Sequence, residues 1–255
     1  MASVITLDHA SFSYDGKEDI FTDLTYEISS ENIFCILGPN GIGKSTLLNA
    51  IMDLLPLHEG RVLIDGRPVQ SYRRAALAKK VAYIPQTYQM TFPYNVLDLV
   101  LMGRTPHLND MNRPSQCDYE KVMEAVTSLG IKDLLDRTCT QLSGGQLQRA
   151  LFARLALQDA PVLLLDEPFA AMDERTCQDL LALLRGWQAQ GKTVLAVLHD
   201  LAQVRQAFTQ TLLLAGRVLA YGPTQSVLTP QNLLRLRMPD GSGEPAGMAC
   251  QGAAP

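Results

Sequence analysis

Residues 38–46 read GPNGIGKST, a glycine, four residues and then Gly-Lys-Ser, and each residue type at that spacing suits a polyphosphate. Gly38, Gly41 and Gly43 permit positive φ and bring backbone N–H groups close to a polyanion, where side chains would collide. Pro39, Asn40 and Ile42 fill the positions between them, and the β-branched Ile42 restricts its backbone without removing the donor. Lys44 offers a compact cation for β- and γ-phosphates, and Ser45 a hydroxyl ligand for Mg²⁺. The apolar run at 33–37 reads as a buried strand, and the stretch from Thr46 to Met52 as a helix. The loop therefore opens a helix at its positive end, where phosphate is favoured.

Other segments bring polar groups to the ends of apolar runs. Val162 to Leu165 form a continuous apolar run suited to a strand buried on both faces, and Asp166 and Glu167 follow at its C-terminal edge. Adjacent carboxylates at such an edge are costly, and a divalent cation offsets that cost. His199 ends a further apolar run from Thr193 to Leu198, and Gln86 closes the short run YIPQ. Leu142, Ser143, Gly144, Gly145 and Gln146 precede a helical stretch to Gln158. Ser143 there occupies an N-cap position, and the two glycines expose bare amides at a positive helix end.

Gln86 in YIPQ, LSGGQ at 142–146, VLLLDEP at 162–168 and His199 in VLHD follow one another in the order of the ATP-binding-cassette ATPases, which the chain resembles over about residues 3–236. The resemblance implies an α/β P-loop NTPase fold of the ABC nucleotide-binding type, with an antiparallel β lobe and an inserted helical lobe at about 87–158. It implies ATP and Mg²⁺ in the loop 38–46, with Ser45, Gln86 and Asp166 serving the metal, the last through its second shell. Glu167 would accept a proton from the attacking water, and His199 would contact the γ-phosphate and orient that water. Tyr14, in FSYDG, falls where the family stacks an aromatic on adenine. Ser143, Gly144, Gly145 and Gln146 would face ATP held by a second subunit, and Asp173 matches the family's loop that crosses between subunits. A head-to-tail homodimer follows, seated on two transmembrane permease subunits at the cytoplasmic face of the membrane and fed indirectly by a substrate-binding protein.

Two parts of the chain resemble importers of different cargo. The apolar segment TFPYNVLDLVLMGRTPH at 91–107 suggests a docking face for the permease, and LMGRTPH with Ser115 to Glu120 looks most like importers of iron-siderophore, haem or cobalamin. That is the main expectation. The alternative is a zinc or manganese importer, to which AAMDERTCQDLLALLRGW and TVLAVLHDLAQVRQAF are more similar, with an exporter or a soluble ABC ATPase also open.

Composition agrees with an ATPase of one domain. The chain's 255 residues can bury one sizeable core, expected at 1–238, and the Gly-, Ala- and Pro-rich stretch 239–255 reads as a disordered tail. A net charge of −4 gives no general pull toward nucleic acid. The five cysteines lack paired metal spacing and read as reduced thiols. The N-terminus carries no basic-then-apolar leader, and no uninterrupted apolar run approaches about 18 residues, so neither secretion nor a membrane span is expected. Asp65-Gly66 is a hairpin signal, Tyr119, Val122, Met123, Val126 and Leu129 share one helical face, and Glu174 to Gln190 reads as an amphipathic helix. Ala215-Gly216 departs from the polar-Gly pair usual in the family's late hairpin.

Overall fold

The computed structural model describes residues 3–88, 92–108, 113–170 and 172–237. The expected tail at 239–255 and Thr91 lie outside the described residues. In chain order the first half comprises β1 (Ser3–Ser13), β2 (Asp19–Ser29), β3 (Ile33–Leu37), α1 (Lys44–Ile51), β4 (Glu59–Ile64), β5 (Arg67–Pro68), α2 (Arg74–Ala78), β6 (Val81–Ile84), α3 (Val96–Leu101) and α4 (Gln116–Ser128). The second half adds α5 (Gly144–Gln158), β7 (Val162–Asp166), α6 (Glu174–Ala189), β8 (Thr193–Val197), α7 (Leu201–Ala207), β9 (Gln210–Leu214), β10 (Val218–Pro223), α8 (Thr224–Val227) and α9 (Pro230–Arg237).

Two sheets result. An antiparallel sheet runs β2-β1-β4-β5, and a six-stranded sheet runs β10-β9-β3-β8-β7-β6, parallel except for the β9–β10 hairpin. Every residue of β3, β7 and β8 is buried, as unbroken apolar runs require of strands covered on both faces. The registers Ile36 to Val197 and Asp166 to Val197 bring the C-terminal ends of these three strands side by side. The phosphate-type loop, the acidic pair and His199 therefore leave the sheet at one edge, although about 160 residues of chain separate the first from the last.

One face of the central sheet packs against the antiparallel sheet and α1 through residues such as Phe21, Phe34, Leu48 and Val62. The other packs against α3 to α6 through Leu99, Val126, Phe152, Leu180 and their neighbours. The Asp65-Gly66 hairpin forms with both residues left-handed, φ 49° and 72°, which matches the twist of the flanking strands. The late hairpin closes on Gly216, φ 74°, with Ala215 N–H donating to Arg217 O at 2.9 Å, so the substituted pair still turns.

Two expectations about the helical part change. Of the supposed apolar face of α4, Val122, Val126 and Leu129 are buried, whereas Tyr119 and Met123 stand exposed, because the helix meets α3 and α5 along a stripe narrower than the sequence periodicity suggests. The apolar share of 91–107 is largely core rather than surface: Val96, Leu99 and Val100 are fully buried. Phe92, 62 % exposed and 6.0 Å from the Tyr94 ring, is the large apolar side chain that this segment still presents.

Phe152 on α5 stacks on Trp187 at 6.1 Å and lies 6.4 Å from Phe169, joining α5, α6 and the turn after β7. Phe152→Ala is expected to lower the unfolding free energy by about 3–5 kcal/mol, measured by urea denaturation; a loss below about 1 kcal/mol would mean that the surrounding aromatics collapse into the space.

Candidate functional site

The loop between β3 and α1 is confined by its neighbours. Gly41 and Gly43 have φ of 80° and 98°, and Gly43 caps α1. A Cβ on Gly38 would lie 2.3 Å from Leu214 O, and one on Gly43 would lie 2.4 Å from Ile20 Cγ2. Gly38, whose φ is not positive, needs glycine for space alone, and Gly43 for backbone freedom as well.

Lys44 is buried and lies along the loop, its Nζ donating to Gly38 O at 2.9 Å and Pro39 O at 2.7 Å. Burial pushes its pKa down, while Glu167 and then Asp166 push it back up. Asp166 is 2 % exposed, and burial raises its pKa against a hydrogen bond from Ser45. Among the described residues its Oδ1 is buried without a hydrogen-bond partner. Sequence reading missed Tyr83, a half-buried phenol whose pKa is raised by burial and then by the nearby Asp166 carboxylate. It stands on β6, the strand beside β7, and no local sequence pattern marks it.

Glu167 sits at φ 49°, a left-handed conformation uncommon for a residue with a Cβ, with its N–H held by Val197 O at 3.1 Å. Its carboxylate meets His199 Nε2 at 2.5 Å, so the groups that end β7 and follow β8 touch directly. A cleft of about 450 Å³ brings Tyr14, Asn40, Gly41, Gly43, Lys44, Ser45, Thr46, Gln86 and Glu167 onto one surface, and adds Ile20. Tyr14 is 67 % exposed, stands edge-on to Phe12 at 4.9 Å, and its hydroxyl bonds Thr46 Oγ1 at 3.0 Å. The ring is thereby tied to the first turn of α1.

Ser143, Gly144, Gly145, Gln146 and Asp173 do not line this cleft. Ser143 forms a capping box: Gln146 N–H donates to Ser143 Oγ at 3.3 Å, and Ser143 N–H to Gln146 Oε1 at 3.0 Å. A Cβ on Gly144 would meet nothing within 4 Å, so the start of α5 is open to an incoming group. Asp173 caps α6, accepting from Thr176 N at 2.9 Å and Thr176 Oγ1 at 2.8 Å, and these bonds lower its pKa.

The described residues include no group of three or more His, Cys, Asp or Glu able to cage an ion unaided. A divalent cation would need oxygens from the phosphates themselves, which is how Mg²⁺ is commonly held beside one or two protein ligands. The unpartnered Asp166 Oδ1 next to the Ser45 hydroxyl fits such an ion.

Glycine loop, buried lysine and paired carboxylates at one sheet edge define a P-loop nucleotide hydrolase. The ABC transporter family model matches residues 21–170. The zinc transport system ATP-binding protein TroB of Treponema pallidum is 40 % identical over 236 residues, covering 92 % of this chain and 86 % of TroB. The manganese transport system ATP-binding protein MntB of Bacillus subtilis is 37 % identical and covers 90 % of each chain. A solved metal-chelate-type ABC transporter in an inward-facing conformation superposes with a TM-score of 0.79 at 33 % identity, covering 92 % of this chain and 88 % of that one. The chain belongs to the ATP-binding subunits of ABC transporters, and is an ATP hydrolase coupled to transport.

Tyr14→Ala is expected to weaken ATP affinity by about 1 kcal/mol, roughly fivefold, without abolishing hydrolysis, while Tyr14→Phe keeps most of the affinity because it keeps the ring. Equal losses in the two variants would transfer the role from the ring to the hydroxyl on Thr46.

Proposed function

We propose that this chain powers import of a metal ion, of the zinc or manganese class, by hydrolysing ATP at the paired interface of two copies seated on two membrane permease subunits. The cargo class is supported by the resemblance to TroB and MntB across nearly the full length of each. Those relatives favour the metal-ion alternative over the iron-siderophore, haem or cobalamin expectation drawn from LMGRTPH. That motif is now otherwise explained, since Gly103, Arg104 and His107 contact the end of α5. A second, broader relative is the molybdate import ATP-binding protein MolC of Haemophilus influenzae, at 35 % identity over 92 % of this chain and 88 % of MolC. Import is the direction in its name.

One observation carries the mechanism: Glu167 and His199 touch each other at the edge of the cleft that holds Lys44 and Ser45. Lys44, released from the loop carbonyls, would neutralise β- and γ-phosphate charge. The loop amides between Gly38 and Thr46 would bind the phosphate oxygens, and Tyr14 would stack on adenine. Ser45, Asp166 and Gln86 would hold Mg²⁺, which when bound offsets charge developing on the phosphates. Glu167 would take a proton from water that His199 orients. Ser143, Gly144, Gly145, Gln146 and Asp173, absent from the lining of this cleft, would complete the site of the second copy. No helix among the described residues is long and apolar enough to cross a membrane, so the path for cargo would come from the permease, at whose cytoplasmic face the subunit would sit. Phe92, exposed beyond Gln86, is the suggested contact to it.

Glu167→Gln is expected to bind ATP, stop turning over and accumulate as a dimer seen by sedimentation. Purified from membranes with ATP, it should bring down a polytopic membrane protein identifiable by mass spectrometry. Steady turnover in that variant would remove Glu167 as the base, and recovery of soluble partners alone would end the importer reading. Chelation of divalent metal with EDTA should abolish turnover in the wild-type chain, with recovery on adding Mg²⁺; turnover that survives chelation would remove the metal from the mechanism.

A further inference from the structure

The segment Met102–His107, a 3₁₀ turn following α3, packs against α5 away from the nucleotide cleft. Gly103 lies against α5 so closely that a Cβ there would come within 2.3 Å of Arg154 O. Arg104 Nη1 donates to Leu157 O at 3.1 Å, and His107 Nε2 meets Gln158 O at 2.8 Å. A carbonyl can only accept, so Nε2 carries the hydrogen. The last carbonyls of a helix have no partners within it, and cations favour that negative end. α5 has no basic residue in its own last turn, so the donors come from a different segment.

Arg104 is itself fixed. Its Nε donates to Asp118 Oδ1 at 2.7 Å, with the two side chains only 12 % and 11 % exposed. Asp118 also closes the capping box of α4 with Ser115, whose hydroxyl and amide, together with Arg104, hold its carboxyl down to about 2. The turn after α3, the start of α4 and the end of α5 thus meet at one part-buried charged node. One turn earlier on α5, Arg154 reaches Tyr88 Oη at 3.1 Å and Tyr83 O at 3.4 Å, on either side of Gln86.

We propose that Arg104 and His107 are positioning residues that fasten the C-terminal end of α5 to the segment following Gln86, and thereby aim the Ser143–Gln146 end of the same helix. A helix is stiff along its axis, and 15 residues place its two ends about 22 Å apart at 1.5 Å per residue. A displacement at the fastened end is then delivered at the open end. The inference rests on the proposed pairing of copies, in which Ser143 and its neighbours act on ATP held by a second chain.

The test uses the full chain and three readouts: kcat at saturating ATP, Kd for ADP, and melting temperature. The double variant Arg104→Lys/His107→Phe weakens the Arg104 bond to α5 and removes the His107 bond, while keeping a cation against Asp118 and a ring at 107. We expect its kcat to fall about tenfold with its ADP Kd changed by less than about twofold, because the ligands of ADP on its own chain are untouched. His107→Gln, which retains a donor at that position, should keep nearly wild-type kcat and guards against a double variant that folds poorly. Unchanged kcat in the double variant overturns the proposal. So does a fall in kcat accompanied by an equal loss of ADP affinity and a lower melting temperature, which would mark a loosened fold. Dimer formation by Glu167→Gln reports on the pairing separately, so failure of that reading and failure of this one are distinguishable.

Discussion

A carboxylate buried at the mouth of a polyphosphate site is the constraint around which the rest is arranged. Asp166 sits at the end of β7 with almost no exposure, and burial raises its pKa. An ionised group there survives only with donors and cations close by, and the neighbouring elements supply them. Ser45, in the first turn of α1, and Lys44, the residue before it, both act to lower the cost of its charge. The parallel sheet makes this possible, since strands buried on both faces are the arrangement that brings β3, β7 and β8 to a common end. Those strands need cover on each side. The antiparallel sheet and the helical layer provide it; the first also carries Tyr14 to the edge, Gln86 arrives there from the end of β6, and the start of α5 stays outside this cleft.

What could be read from the sequence follows how local the physics is. The glycine loop, the acidic pair after VLLL and the run ending at His199 each carry their chemistry within about ten residues, so their types and spacing disclose them. The Asp65-Gly66 turn was legible for the same reason. Tyr83 was not, because its partnership with Asp166 depends on the β6–β7 register, and no local pattern records that pairing. The direct contact of Glu167 with His199 likewise comes from the adjacency of β7 and β8.

The errors share a cause. Tyr119 and Met123 were read from periodicity, and the docking face at 91–107 from its apolar share; neither signal says how much of an apolar surface a neighbouring helix will cover. α3 buries more than expected and α4 less, since both lean on α5. LMGRTPH is of another kind: Gly103, Arg104 and His107 meet the end of a helix on the same chain, a packing role that the motif's spelling alone does not disclose.

The left-handed backbone at Glu167 has a consequence for which residues this position can hold. Aspartate adopts that conformation more readily than glutamate and is also a carboxylic acid, yet it is one methylene shorter and would fall short of His199. Glycine would relieve the backbone altogether and carry no acid. The chain has settled on the longer acid in the less comfortable conformation, as strained residues at working sites commonly do. With Glu167 in its proposed role as base, residue 167 is a place where folding and turnover select in opposite directions, and where a screen for thermostability would tend to gather inactive proteins.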